Sequence, residues 1–306
     1  MFIPMRFPMT RPLIAAVVLA LSSLSASARD TGEACAHVLP AGQPTTHTAA
    51  RTQLLCYRAY AVLYSSQTRT ALWAAERLTR EAVDAARKLP RDSDFYEEDR
   101  LPEADRARLA DYRRGSGMDR GHLAPSGDFP DKASQAESFS LANVVPQNSV
   151  SNRRTWSHIE TSTRKLARQH GTIQVVTGPA FVGAPRTLGR VRIPDFIWKA
   201  IHVPGVGAGV YIVRNDATPA YSVISVAELR HFAGIDPFPA LPKTMNATAM
   251  DQPPPTPHPG EKPARRVAFA WLASGEAVAD SPAPDALHHV IRDASAILSL
   301  ALAHAR

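Results

Sequence analysis

Apolar positions along the chain fall into short blocks separated by polar or proline-rich intervals, and the spacing inside each block predicts its element. Tyr57, Ala59, Ala61 and Leu63 alternate with other positions and predict a strand; a second begins at Leu72 and Trp73, and together they predict a hairpin. The interval 91–111, RDSDFYEEDRLPEADRARLAD, is densely charged and predicts a surface loop with a short helix after Pro102. A strand is expected around Met118 to Ala124, then a helix over about 150–170, with Ser149 or Ser151 as its cap and Gly171 as its stop. On that helix Asn152, Trp156 and Glu160 are spaced four apart, which keeps them on one broad face. Strand-like runs follow at TIQVVTGPAF, FIWKAIHV, GVYIVRN and YSVISV, then a short helix through AELRHFAG that ends near Gly234. After Pro237 the proline-dense DPFPALPKTMNATAMDQPPPTPHPGEKPARR predicts an extended linker or a surface-wrapping strap. The tail DALHHVIRDASAILSLALAHAR predicts a packed helix.

The amino end changes the picture by assigning a compartment. Arg6 and Arg11 precede an apolar run from Leu13 to Leu24, and Ala26-x-Ala28 follows, the pattern of a secretory signal peptide cleaved after Ala28. The run is short for a bilayer span, so export to the periplasm or the medium is expected, without stable membrane association. In an oxidising compartment Cys35 and Cys56 can close a small amino-terminal loop as a disulfide. The formal charge is +7, and subtracting the signal-peptide arginines Arg6 and Arg11 leaves +5 on the exported chain. A basic chain of this kind favours polyanionic partners, because lysine and arginine release counterions from a phosphate backbone.

Candidate chemistry concentrates in GSGMDRGHLAPSGDF, residues 115–129, and in the polar cluster that follows it. His122 can take a proton from water near neutral pH, Gly121 permits close backbone approach to a substrate, and Arg120 offers a planar fork for phosphate oxygens. Asp119 is expected to anchor the strand end or pair with a basic neighbour. Downstream, Asn152 and Glu160 supply the hard oxygens that Mg²⁺ prefers, with water and substrate phosphate completing its shell. Read individually, Asn152 could instead cap the helix and Glu160 could pair with Arg164. Neither a G-x-S-x-G elbow nor an H-E-x-x-H helix is present, which argues against serine-based and zinc-protease chemistry.

The ordered set SGMDRGHLAP, LANVVPQNSVSNRRTWSHIE, VVTGPAF and WKAI resembles the DNA/RNA non-specific endonuclease family, over roughly residues 50 to 240. The resemblance implies an α+β fold of the ββα-metal type: a central antiparallel sheet with flanking helices and a histidine-bearing strand facing a metal-binding helix. It implies that His122 is the general base, Asn152 the direct Mg²⁺ ligand, Glu160 a catalytic residue holding the metal through water, and Arg120 the phosphate-binding arginine. Asn143 matches a supporting position and Arg91 a second phosphate-contacting arginine. Met118 departs from the aromatic residue often found before DRGH. The expected activity is Mg²⁺-dependent hydrolysis of DNA and RNA to 5′-phosphate products, with Mn²⁺ an admissible substitute, a homodimer admissible and any inhibitor protein unspecified. The alternative is a nucleic-acid-binding protein on a nuclease scaffold that does not cut. The expected organisation is a signal peptide over 1–28, the endonuclease domain over 29–242, and a proline-rich linker with a helical extension over 243–306.

Overall fold

The computed structural model describes residues 35–47, 51–90 and 93–274, so the signal peptide, Arg91 and the expected terminal helix lie outside the described residues. An eight-stranded sheet forms the centre. Its strands, in chain order, are β1 (Thr52–Cys56), β2 (Tyr60–Ser65), β3 (Thr70–Thr79), β6 (Thr172–Ala180), β7 (Phe196–Val203), β8 (Gly207–Arg214), β9 (Ala220–Ile224) and β10 (Arg265–Arg266). Missing from this series are β4 (Met118–His122) and β5 (Val144–Asn148), which pair with each other as a separate antiparallel ribbon. The spatial order of the large sheet is β10-β9-β8-β7-β6-β3-β2-β1, antiparallel throughout except for the parallel β9–β10 pair.

Both faces of this sheet are covered, which is why every residue of β2 and β7 is buried and a simple in-out alternation is lost. One face packs Val62, Ala74, Ile173, Val175, Ile197 and Ile201 beneath Trp156, Ile159, Leu166 and Ala167 of the helix at 149–170. The opposite face packs Trp73, Val176, Trp198, Val210 and Ile212 against Val38, Leu39, Leu229, Phe238, Trp271 and Leu272. Cys35 and Cys56 are joined, with 5.4 Å between their Cα atoms, which ties the amino-terminal segment to β1. Among the described residues no helix is long and apolar enough to cross a membrane.

Several expected boundaries move. The strand expected from Tyr57 starts at Tyr60, because Tyr57 N donates to Tyr60 O and the chain turns there. Arg58 is drawn out of line by Glu137, to which its backbone N and Nη1 donate at 2.8 and 2.7 Å. The helix expected after Pro102 is only a turn, with Asp105 N and Arg106 N both donating to Pro102 O. Ala107 N is diverted to the Tyr64 hydroxyl, and a short 3-10 helix forms later at Leu109–Asp111. Gly171, at φ 83°, ends the long helix as expected, but the cap is Asn148, whose Oδ1 accepts from Val150 N and Ser151 N.

The charged loop is pinned by a carboxylate that becomes ligated on all sides. Glu98 is buried and accepts from Tyr57 Oη at 2.5 Å, Ser140 Oγ at 2.9 Å and Arg100 Nε at 2.7 Å, while the Arg100 guanidinium lies over the Tyr57 ring. Burial alone would raise its pKa, but the hydrogen bonds from Arg100 and Tyr57 hold it below the usual carboxylate range. A depressed folded-state pKa contributes stability above the unfolded value of about 4.3, and that contribution is lost as pH falls through the folded value. Glu98→Gln is therefore expected to cost about 1–3 kcal/mol at neutral pH. The deficit should shrink as the solution is acidified below about pH 4, as denaturant titration across pH will show.

Candidate active site

The ribbon places the candidate residues by register. Met118 lies opposite Asn148, Asp119 opposite Gln147, Arg120 opposite Pro146, Gly121 opposite Val145 and His122 opposite Val144. Because alternate residues share a face, Arg120 and His122 project together, and both reach the ring of Phe95, at 5.2 Å in each case. Phe139 closes the other side of His122, edge to face, with ring centroids 5.0 Å apart. Two packed rings fix the orientation of the imidazole more firmly than a solvent-exposed position would. The Arg120 guanidinium is further covered by Tyr112, 5.6 Å from the ring centroid. Its Nε is buried and has no acceptor among the described residues, so this donor suits an anionic oxygen.

Gly121 answers a steric demand. A Cβ built there would meet the Gln147 side chain, with Gln147 Cβ only 2.6 Å away. Gln147 is fully buried and has little room to withdraw. Gly121→Ala is expected to lower stability by about 1–3 kcal/mol, the usual cost of overpacking, and to disturb the His122 strand. A fall in the thermal midpoint together with reduced activity is the expected result; an unchanged midpoint would show that the ribbon absorbs the methyl group.

β5 runs directly into the helix at 149–170, and the connection is where the metal-ligand candidates sit. The helix starts with an α-turn at Ser149–Ser151, widens into a π-segment at Asn152–Trp156, and resumes as α over Ser157–His170. Such π-segments carry one extra residue per turn and often occur at functional positions. Asn152 is the first residue of this one, and its Nδ2 donates to Asp119 Oδ2 at 2.9 Å. Since a carboxylate only accepts, the amide nitrogen must face Asp119, leaving Asn152 Oδ1 as the end that can meet a cation. Asp119 also accepts from Arg153 Nε and Nη2 at 2.9 and 2.8 Å, so it is the basic-paired anchor expected of it.

Asn143 is fully buried and fully used. Its Nδ2 donates to Ala124 O and Ser138 O at 2.8 and 2.9 Å, and its Oδ1 accepts from Ala124 N at 3.0 Å. Leu123 N donates to Asn143 O at 2.9 Å, so this residue fixes the chain immediately after His122. Glu160 is half-buried, two turns beyond Asn152 on the same helix. Arg164, one turn further, donates to the buried Asp128 at 2.9 Å; burial alone would lower its pKa, but the charges of Asp128 and then of Glu160 raise it. The donor set of an amide oxygen and a carboxylate fits a hard divalent cation.

Several supporting residues have no signal in the sequence. Phe95, Tyr112 and Phe139 come from three separate stretches to enclose Arg120 and His122. Asn215 holds the ribbon to the large sheet: its Nδ2 donates to Pro146 O and Pro194 O, and its Oδ1 accepts from Asn148 N at 2.8 Å. The Asp119 pairing was foreshadowed by the charge and strand-end position of that residue, and the supporting place of Asn143 by the family resemblance.

Residues 38–244 match the family described as DNA/RNA non-specific endonuclease. The chain is 32% identical over 176 residues to nuclease C1 of Cunninghamella echinulata var. echinulata, covering 52% of this chain and 69% of that protein. It is 32% identical over 197 residues to the mitochondrial endonuclease G of Bos taurus, covering 59% of this chain and 64% of that protein. A chain in the crystal structure of the EndoG/EndoGI complex superposes with a TM-score of 0.61 at 23% identity, over 72% of this chain and 97% of that one, and shares the fold.

Proposed function

Because the chain belongs to the DNA/RNA non-specific endonuclease family and is a metal-dependent endonuclease of ββα-metal fold, we propose that it hydrolyses DNA and RNA phosphodiester bonds at the ribbon–helix junction. The observation that carries this reading is the pairing of two features on one face of β4. They are an imidazole locked between Phe95 and Phe139 and, beside it, an arginine whose buried Nε has no acceptor among the described residues.

In this reading His122 takes the proton from an attacking water and the Arg120 guanidinium binds a non-bridging phosphate oxygen. Asp119 orients the Asn152 amide, and Asn143 holds the backbone that follows His122. A divalent ion, proposed to be Mg²⁺ with Mn²⁺ as substitute, would be held by Asn152 Oδ1 and, through water, by Glu160, and would stabilise charge on the phosphate and the departing oxygen. Recognition through backbone charge in place of base edges suits a site that accepts both nucleic acids. Products carrying 5′-phosphates are proposed with it. Export follows from the amino-terminal pattern and is supported by the Cys35–Cys56 disulfide, which persists in an oxidising compartment.

The test is digestion of plasmid DNA and of RNA by the purified protein with Mg²⁺, with Mn²⁺ and with EDTA. Cleavage of both substrates that stops with EDTA is expected. A retained gel shift without cleavage would favour the non-cutting alternative. Because the net charge is positive, KM should rise about tenfold or more between about 50 and 200 mM salt. A flat KM over that range would count against electrostatic capture of the substrate.

A further inference from the structure

The outward side of the same helix meets the proline-rich segment that follows the endonuclease match, and the contact gathers a second set of ligand-type side chains. Residues 250–267 run as a strap across the molecule. Met250 N donates to Ala208 O, and Tyr211 Oη to Pro253 O. Ser162 Oγ donates to Pro254 O, and Thr256 N donates both to Ser162 Oγ and to His158 O. The strap then turns sharply at His258-Pro259-Gly260-Glu261. Glu261 N donates to His258 O at 3.0 Å, Pro259 occupies the second turn position, and Gly260 has the positive φ of 82° that the third position of a type II turn needs. The turn brings the side chains of its first and last residues, His258 and Glu261, side by side.

Facing this turn is His158, buried to 1% exposure in the helix. Its Nε2 lies 2.5 Å from Glu261 Oε2 and 3.4 Å from His258 N, and the two imidazole rings meet edge to face at 5.1 Å. His258 Nε2 is also 2.8 Å from Ser157 Oγ. One ligand atom from each of His158, His258 and Glu261 falls within 4.8 Å of the others, and His258 opens to solvent. The hydrogen bond from His158 holds the pKa of Glu261 below its usual range against the opposing effect of burial, with smaller contributions from the charges of His158, His258 and Arg154.

We propose that His158, His258 and Glu261 form a transition-metal site, taking Zn²⁺, that clasps the strap to the helix. Two imidazole nitrogens and one carboxylate are a ligand set zinc accepts, with water or the Ser157 hydroxyl in the fourth place. Tetrahedral ligation at about 2.0–2.1 Å needs ligand atoms roughly 3.3 Å apart, within reach of small side-chain rotations in this cluster. Nitrogen donors favour zinc over Mg²⁺, which prefers oxygen, so this site and the oxygen-lined site at Asn152 select different ions. The assignment does not depend on the nuclease reading, since it rests on residues outside that chemistry.

Zinc titration of metal-stripped protein in millimolar Mg²⁺, followed by calorimetry and by thermal denaturation, tests it. The wild-type protein is expected to take up one equivalent of Zn²⁺ and gain thermal stability. His258→Ala and Glu261→Ala should each lose that uptake and that gain, whereas Asn152→Ala should keep both. His258 is exposed and Glu261 only half-buried, so both variants should retain the wild-type fold, checked by circular dichroism of the metal-free proteins. The proposal is overturned if the wild type takes up no zinc, if either strap variant binds zinc like the wild type, or if Asn152→Ala abolishes the uptake.

Discussion

Replacing His122 by alanine is expected to lower the rate of phosphodiester cleavage by about 100-fold to 10,000-fold, the usual cost of losing a general base. The ring is 8% exposed and packed between Phe95 and Phe139, so alanine also opens a gap and should reduce stability by about 2–4 kcal/mol. Those two effects must be separated. His122→Gln retains most of the side-chain bulk but cannot accept a proton at neutral pH, so it should match the alanine variant in lost activity while melting close to the wild type. If the glutamine variant stays fully active, His122 is a packing residue and the base lies elsewhere. If both variants unfold, near-ultraviolet circular dichroism will show it directly.

The second large effect belongs to Asn152 and its anchor. Asn152→Ala removes the proposed amide oxygen ligand, and the Mg²⁺ concentration giving half-maximal activity should rise by on the order of 100-fold. Asp119→Ala leaves the ligand in place but removes the carboxylate that fixes its orientation, together with the partner of Arg153. Loss of such an outer partner typically costs about 10-fold to 100-fold in metal affinity, so Asp119→Ala should shift the same titration in the same direction by less. A metal titration that neither substitution moves would remove the amide from the ligand role.

How far the chain could be read in advance follows from the range of the interactions involved. The β4 strand, the following helix and its glycine stop were legible because each is set by residues within a few positions: Met118 to His122 for the strand, Gly171 for the stop. The ordered motifs around DRGH and SNRRTW carried the family. The turn at Tyr57 was missed because the carboxylates that hold Tyr57 and Arg58 out of the strand, Glu98 and Glu137, lie 41 and 79 positions away, where no local pattern contains them. The aromatic enclosure of Arg120 and His122 was missed for the same reason, since Phe95, Tyr112 and Phe139 come from stretches far apart in the chain. Serine was expected to cap the helix, yet Asn148 does so as the last residue of β5, where strand geometry already aims its side chain at Val150 N and Ser151 N. The proline-rich stretch was expected as an extended linker or a surface-wrapping strap, and it does wrap as a strap; what its composition did not show is that β10, at its end, joins the large sheet and that Trp271 and Leu272 just beyond are buried in the second core.

The widened turn at Asn152–Trp156 separates two tasks that a regular helix would lock together. Downstream of it, Ile159, Leu166 and Ala167 must keep one angular setting to fill the core; upstream, Asn152 must keep another to meet Asp119. One residue turns an α-helix by about 100°, so the extra residue acts as an angular offset between the two settings. Shortening the chain by one position in this turn would give a more regular helix with the same buried stripe. It would also swing Asn152 roughly a quarter-turn or more off its mark, making the tidier protein the inactive one.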